Sequence, residues 1–270
     1  NQHVDVQASS HQYSANFALA GAGSGLIAAT GAVSVDVNQA DTIAEVRNAE
    51  VDAGGRLSVN ASSTGGLAGV VMSVAGAGAV AGAGTIEVAV TKGLTRAGLY
   101  DAEVYARRID IDASSRTGAK FVVGAGAVSA GAGAGAGSVI VAVSEQTTLA
   151  EIDGNRTAGR AGLLRRVVAD SQGGQVEGDG DITVDAVTDV RNTEVVLAVA
   201  GSTGTAVAGV IDVSVHASTT QALVRQADLQ ASGRSRLVNV QNDNVPENDV
   251  LITDGGIRVR ADDRGNILRA

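Results

Sequence analysis

Hydrophobic and polar residues alternate with a period of two along most of this chain. In VDVQAS at residues 4–9, the valines and the alanine alternate with Asp, Gln and Ser, and TIEVAVT at residues 85–91 alternates in the same way. A period of two with many β-branched residues is typical of half-buried β-strands. No apolar set recurs at helical spacing, so the pattern predicts an all-β fold.

The strand-like segments recur at a nearly constant spacing. A second apolar motif follows the first motif of a unit after 29 or 30 residues, and a third follows in three units. This spacing predicts repeats at 4–56, 57–108, 109–181 and 182–256, with a partial fifth repeat from 257. The two longer repeats contain insertions, at 154–181 and 232–256, which stacked repeats project from one rim.

A repeat of about 52 residues is too small for a free-standing β-sandwich, which needs about 100. Stacked coils can instead bury a continuous core, so we predict a parallel β-solenoid that spans residues 1–270. We expect two coils in each repeat, and nine or ten coils then give a rod about 45 Å long. The first residue of each repeat should form an internal aliphatic ladder of Val4, Leu57, Ile109, Ile182 and Ile257.

Each repeat also contains a long uncharged run that is rich in Gly and Ala, such as Ser62–Ile86. One interpretation is a membrane-inserting segment. The other is a pair of strands whose small side chains let two layers approach closely. The alternation persists through the run, and the run keeps one place in every repeat, which favours the second interpretation. It predicts a narrow interior that larger side chains would overpack.

Composition restricts the chemistry that the chain can perform. The 270 residues include 36 Gly, one Pro, no Cys and no Trp, with 2% aromatic residues. The absence of Cys excludes a disulfide scaffold and a thiolate metal site. The net charge of -9 argues against a nucleic-acid partner, because no basic surface is available to neutralise phosphates. The chain begins with Asn1, and we interpret it as an excerpt of a longer protein.

No catalytic motif occurs at the spacing that its chemistry requires, so we predict no enzyme and no catalytic or cofactor-binding residue. A lyase or epimerase that acts on acidic polysaccharides from a β-helix is an alternative, because such sites combine carboxylates with Arg or Lys. The pattern places six acids on the outer face, where solvation is the default expectation: Asp36, Glu87, Asp110, Asp112, Asp185 and Asp212.

The first insertion holds the candidate metal ligands. Glu177, Asp179 and Asp181 alternate with glycine and could surround calcium, although the repeating pattern of calcium-binding nonapeptides is missing. The other interpretation is a mobile acidic turn. The preceding stretch RAGLLRRVVADS, at residues 160–171, is predicted to form a short helix.

The order of these motifs is I-x-V-x-A-x-S, a Gly/Ala-rich run, V-x-V-x-V and A-x-V-x-A. It resembles the β-strand repeats of large secreted bacterial filamentous adhesins of the leukotoxin and hemagglutinin type. The resemblance implies a right-handed parallel β-helix, export with an outer-membrane secretion partner, and a location on the bacterial cell surface. No residue carries a toxin activity, and a membrane-inserting toxin segment is the remaining alternative.

The function predicted from the sequence is therefore the structural or adhesive shaft of an extracellular surface fibre. Its partners would be further copies of itself or host and matrix molecules. Neither nucleic acid nor a transmembrane helix is expected.

Overall fold

The computed structural model describes residues 2–154, 165–170, 180–232, 235–239, 249–253 and 256–269, which form β-strands and no helix. The strands are numbered in chain order. Sheet 1 contains β1 (Val4–Ser24), β4 (Arg56–Ala77), β7 (Arg108–Ser129), β10 (Ile182–Ser202) and β15 (Ile257–Arg269). Sheet 2 contains β2 (Ile27–Arg47), β5 (Val80–Tyr100), β8 (Gly133–Asp153) and β11 (Thr205–Arg225). Sheet 3 contains β3 (Glu50–Asp52), β6 (Glu103–Ala106), β9 (Arg165–Asp170) and β12 (Ala227–Ser232), and β13 (Ser235–Asn239) pairs with β14 (Asp249–Thr253).

The chain is a parallel β-solenoid in which each repeat forms one coil. A coil passes once through sheet 1, sheet 2 and sheet 3, and neighbouring strands within each of these sheets are parallel. The expectation of two coils per repeat is wrong, because the strands of sheets 1 and 2 mostly run unbroken for 21 or 22 residues. Such a strand is about 70 Å long, and the five strands of sheet 1 stack over only about 20 Å.

The first residues of the repeats lie directly above one another in sheet 1. The register pairs Val4 with Leu57, Leu57 with Ile109, Ile109 with Ile182, and Ile182 with Ile257. The three inner members of this aliphatic ladder are completely buried. They pack with apolar residues of sheets 2 and 3, which gives the end of the coil near sheet 3 its aliphatic core.

The opposite end of each coil, where sheets 1 and 2 meet at a tight turn, has a core made of alanine. Eight buried alanines contribute to it: Ala28, Ala75, Ala81, Ala83, Ala125, Ala127, Ala134 and Ala136. The predicted interior of small side chains is therefore present in the Gly/Ala-rich runs.

Stacked turns at this end require glycine for a steric reason. A Cβ atom on Gly78 would lie 2.1 Å from the carbonyl oxygen of Gly25 in the preceding coil. Gly131 and Gly204 occupy the equivalent turns and would clash in the same way, at 2.6 and 2.5 Å. Every coil can thus turn directly over its neighbour only because these positions carry no side chain.

The corner between sheets 2 and 3 also keeps the coils in register. Asn48, Asp101 and Gln226 all have positive φ angles there, between 47° and 51°. The N–H of Asn48 donates to the carbonyl of Tyr100 at 2.9 Å, and the N–H of Asp101 donates to that of Asp153 at 2.9 Å. Backbone pairing between coils therefore continues around the corner.

The predicted short helix in the first insertion is wrong for residues 165–170, which form β9. This strand pairs with β6 on one side and β12 on the other, and it buries Val167 and Ala169. Hydrogen bonds to β6 and β12 stabilise a strand here, and they outweigh the helical pattern of the local sequence. The third strand of this repeat thus lies inside the segment 154–181 that was predicted as an insertion.

Candidate functional site

A broad aliphatic surface covers the outer side of sheet 2 at its turn end. We call it the aliphatic face and define it as the outward positions of residues 27–37 in β2, 80–90 in β5, 133–143 in β8 and 205–215 in β11. Three adjacent rows of it contain only Val and Ile: Val33, Ile86, Val139 and Ile211; Val35, Val88, Val141 and Val213; Val37, Val90, Val143 and Val215. No charged residue occurs at any outward position of the face.

This arrangement contradicts part of the prediction that six acidic side chains lie on the outer face. Glu87 is 0% exposed and faces the interior, whereas its neighbour Ile86 is 43% exposed. Asp36 and Asp212 also face inward, so three of the six predicted outer acids are in fact interior. Only Asp110, Asp112 and Asp185 lie on the outer face, in sheet 1.

The physical reason is the length of the strands. An unbroken strand keeps the same alternation from end to end, and the buried Leu99 and Ala97 of β5 must face the aliphatic core near sheet 3. The same parity carries Ala81 and Glu87 inward and Ile86 outward. Once Leu99 is known to be buried, the alternation followed back along the strand places the aliphatic face on the outside.

Beneath the aliphatic face, next to the alanine core, polar side chains of sheets 1 and 2 pair with each other. Ser14 of sheet 1 donates to Asp36 Oδ1 of sheet 2 at 3.1 Å, and Asn16 donates to Ser34 Oγ at 3.3 Å. In the fourth coil, Ser214 donates to the buried Glu194. These bonds compensate for part of the desolvation of the buried polar groups.

Burial raises the pKa of the Glu87 carboxyl, an effect that the Ser34 hydroxyl opposes and the Asp36 charge reinforces. Gly69, directly across from Glu87, leaves the space that this side chain uses: a Cβ on Gly69 would lie 3.2 Å from Glu87 Oε1. It would also lie 2.8 Å from Cδ1 of Phe121, the next residue in the ladder.

Sheet 1 carries a second, more irregular apolar surface at its turn end. Its exposed members differ in size from coil to coil: Phe17, Leu19, Met72, Val74, Val128, Leu197 and Val199. Glycines separate them, at Gly21, Gly124 and Gly126 among other positions. Both outer surfaces of the turn end are therefore apolar.

The other half of sheet 1 carries an acidic cluster on its outer side. Asp110 forms ion pairs with Arg56 at 3.0 Å and with Arg108 at 2.9 Å. Asp112 lies beside Asp185 in the ladder. Desolvation, with the charges of Asp110 and Asp185, raises the pKa of Asp112 to about 6. A carboxyl that titrates near neutrality is chemically able to transfer a proton.

The outer side of sheet 2 near sheet 3 is held by a tyrosine-centred cluster. The Tyr100 hydroxyl donates to Glu151 Oε2 at 3.1 Å, and the guanidinium carbons of Arg47 and Arg96 lie 4.8 and 5.8 Å from the ring centroid. Burial, followed by the charge of Glu151, raises the pKa of Tyr100 to about 12. These contacts anchor the corner between sheets 2 and 3.

Next to sheet 3 lies a recess of about 410 Å³, lined by residues that include Asp52, Tyr105, Arg107 and Asp170.

Of the predicted calcium ligands, Glu177 and Asp179 lie outside the described residues. Asp181 is described, and its Oδ1 accepts a hydrogen bond from the backbone N–H of Gly256 at 2.7 Å.

Across the described part of the chain, no group of three or more His, Cys, Asp or Glu side chains is placed to hold a metal ion. No helix that could cross a membrane is found among the described residues. Comparisons with protein-family models, with curated proteins and with solved structures give no match to this chain.

Proposed function

We propose that this chain is a segment of the shaft of an extracellular bacterial surface fibre, which supports attachment to host or matrix molecules. The observation that carries the proposal is the unbroken parallel register from Val4 through each coil to Ile257. Such a register lets coils be added without any change in the backbone pairing between coils, as a shaft requires. The resemblance of the repeats to filamentous adhesins supports the extracellular location.

The proposed mechanical role follows from the backbone pairing. Each pair of neighbours among the first four coils is joined by long ladders in sheets 1 and 2, a short ladder in sheet 3 and hydrogen bonds at the corners. Separating two coils would break all of these bonds together, so the stack resists extension along its axis. Among the described strands, β1 and β11 lie at sheet edges, where a further coil can pair with their backbone groups.

Inserting extra repeats tests the shaft function. One, two or three additional copies of residues 57–108 are placed between Arg108 and Ile109, a junction in register because Arg56 pairs with Arg108. Each copy should lengthen the stack by about 4.8 Å without loss of cooperative unfolding. Small-angle X-ray scattering measures the dimension. A length that does not increase with copy number, or extra copies that remain unfolded, would contradict the proposal.

A polysaccharide-acting enzyme is a second candidate, favoured by one observation. Asp112, with its pKa raised to about 6, lies next to Asp185 on a β-helix face that also carries Arg56 and Arg108. Incubation of the protein with alginate or polygalacturonate, followed by detection of unsaturated uronates or epimerised residues, decides this candidate. Turnover that Asp112→Asn abolishes would support it, and absence of turnover would exclude it for these polymers.

A further inference from the structure

We propose that the aliphatic face of sheet 2 binds the aliphatic face of a second copy of this chain, so that two shafts associate side by side. This inference rests on the proposed shaft function and adds a lateral contact to it. Three observations carry it: the size of the face, a glycine groove beside a Val/Ile ridge, and the charge that surrounds the face.

The face is large enough for a specific interface. Eleven residues along each strand and four strands across give about 36 Å by about 19 Å, or about 700 Å² of flat surface. Two copies in contact would bury about 1,400 Å² in total, within the range of stable protein–protein interfaces. Exposed apolar patches above a few hundred Å² generally mark interaction sites.

The shape of the aliphatic face, with a groove beside a ridge, is complementary to the same face of a second copy. Four glycines form one continuous row across the coils: Gly31, Gly84, Gly137 and Gly209. The next row, two residues along each strand, is the Val/Ile ridge that begins at Val33. A two-fold axis along this boundary would place the ridge of each copy in the groove of the other, as an isologous interface requires.

The fold itself does not require glycine in the central part of this groove. A Cβ atom on Gly84 or Gly137 would meet no atom closer than 3.9 Å, and one on Gly209 would meet none within 4 Å. Glycine weakens a strand interior, and in such a position it often marks the close approach of another chain. The turn glycines such as Gly78 contrast with these, because the preceding coil excludes a Cβ there.

The surrounding charge favours a protein partner over a lipid surface. The first charged side chains beyond the face are Lys92 and Glu145, which pair with each other at 2.8 Å. The chain as a whole carries a net charge of -9, which repels anionic lipid headgroups. Between two copies, such a neutral ion pair lies at the rim, where interfaces are polar.

Substituting a glycine of the groove tests the proposal, because the substitution should weaken dimerisation but should not lower the stability of the monomer. Gly137→Val fills the groove, and we expect it to weaken dimerisation of the complete chain by about tenfold or more. The same change should leave the monomer as stable as the wild type or more stable, because valine favours strands. Gly76→Val in sheet 1 is the matched control, since a Cβ there also meets nothing within 4 Å.

Sedimentation equilibrium gives the dissociation constants, and urea unfolding gives the stability. Val141→Lys, in the Val row next to the ridge, should also abolish the dimer. Because the chain has no cysteine, Val88→Cys with a short bis-maleimide should cross-link two copies, and Asn60→Cys in sheet 1 should not.

A wild-type chain that stays monomeric overturns the inference, as does a dimer that Gly137→Val and Val141→Lys leave intact. The second outcome would indicate end-to-end pairing through open strand edges, which leaves the shaft function standing. Flotation with phosphatidylcholine vesicles, with and without phosphatidylglycerol, covers the lipid alternative. A monomer that binds these vesicles, and that Val141→Lys releases, would replace the proposed protein partner with a membrane.

Discussion

Asp112 illustrates how stacking changes the chemistry of a single residue. One coil places Asp110 two residues away on the same face, and the next coil places Asp185 beside it in the ladder. Asp112 and Asp185 are far apart in the sequence, but neighbouring coils bring their strands to within about 4.8 Å of each other. The pKa of Asp112 therefore rises because of desolvation, of the charge of Asp110 on the same strand and of the charge of Asp185, which is distant in the sequence.

We expect the stability of the protein to decrease as the pH rises from about 4 to about 6, to the extent that Asp112 contributes. A carboxyl whose pKa is raised from 3.8 to about 6 on folding binds its proton more tightly in the native state, so its ionisation costs stability. Asp112→Asn should remove this cost. The variant should gain about 1 kcal/mol near pH 7.5, since solvent screens part of the shift, and nothing near pH 4.

Thermal and urea unfolding across this pH range measure the difference between variant and wild type. Asn60→Ser, at the equivalent position one coil earlier, is the control, because it changes no titratable group. A gain for Asp112→Asn that is the same at both pH values would contradict the assignment.

At the scale of the elements, sheets 1 and 2 fit each other coil by coil. The ladder that contains Asn16, Gly69, Phe121 and Glu194 faces the ladder that contains Ser34, Glu87, Ile140 and Asp212. Asn16 contacts Ser34, Glu87 uses the space at Gly69, and the apolar Phe121 and Ile140 belong to one buried cluster. The coils are therefore similar in backbone and individually matched in their side chains.

Gly69→Val should destabilise the protein by about 1–3 kcal/mol, the usual cost of overpacking a core. Its Cβ would lie 2.8 Å from the ring of Phe121, which is 1% exposed and has little room to move. Gly76→Val, in the same strand but facing solvent, should cost nothing or stabilise. Urea unfolding of the two variants measures the contrast, and equal effects would show that the interior at Gly69 is not tightly packed.

At the scale of the whole molecule, each coil contacts mainly the coils on either side of it. Sheet 1 connects β1 to β4, β4 to β7, β7 to β10 and β10 to β15, and none of these described strands pairs with a strand two coils away. In such an array the stability is approximately a sum of the stabilities of the coils and their interfaces. Removing one complete coil should therefore shorten the stack without unfolding it.

Deletion of residues 57–108 removes one coil and brings Ile109 into the register of Leu57. We expect the shortened chain to unfold cooperatively, with a lower free energy of unfolding than the wild type. The control is deletion of residues 57–82, which removes the sheet 1 strand and leaves most of the sheet 2 strand of the same coil. Circular dichroism and urea unfolding should show a folded first variant and a disrupted second one. Loss of structure in both would contradict independent coils.

Much of the fold could be derived from the repeats in the amino-acid sequence. The spacing of the motifs determined which residues lie above one another, and Val4, Leu57, Ile109, Ile182 and Ile257 are such a set. The small residues of the Gly/Ala-rich runs likewise indicated a narrow interior. Both inferences succeed because ladder register and side-chain volume are local properties that repeat with the sequence.

Three features depended on the tertiary structure. They are the number of coils in each repeat, the strand within the first insertion, and the side of the second apolar motif that is buried. Alternation with a period of two predicts that Ile86 and Glu87 face opposite sides of the sheet, but it does not predict which of them is inside. That choice follows from contacts far along the strand, where Leu99 must reach a core that it shares with sheets 1 and 3. β9 likewise forms because β6 and β12 offer it partners. The sequence by itself determined the repeat and its register, and only the assembled coil decided which face is buried, because burial depends on what lies across the sheet.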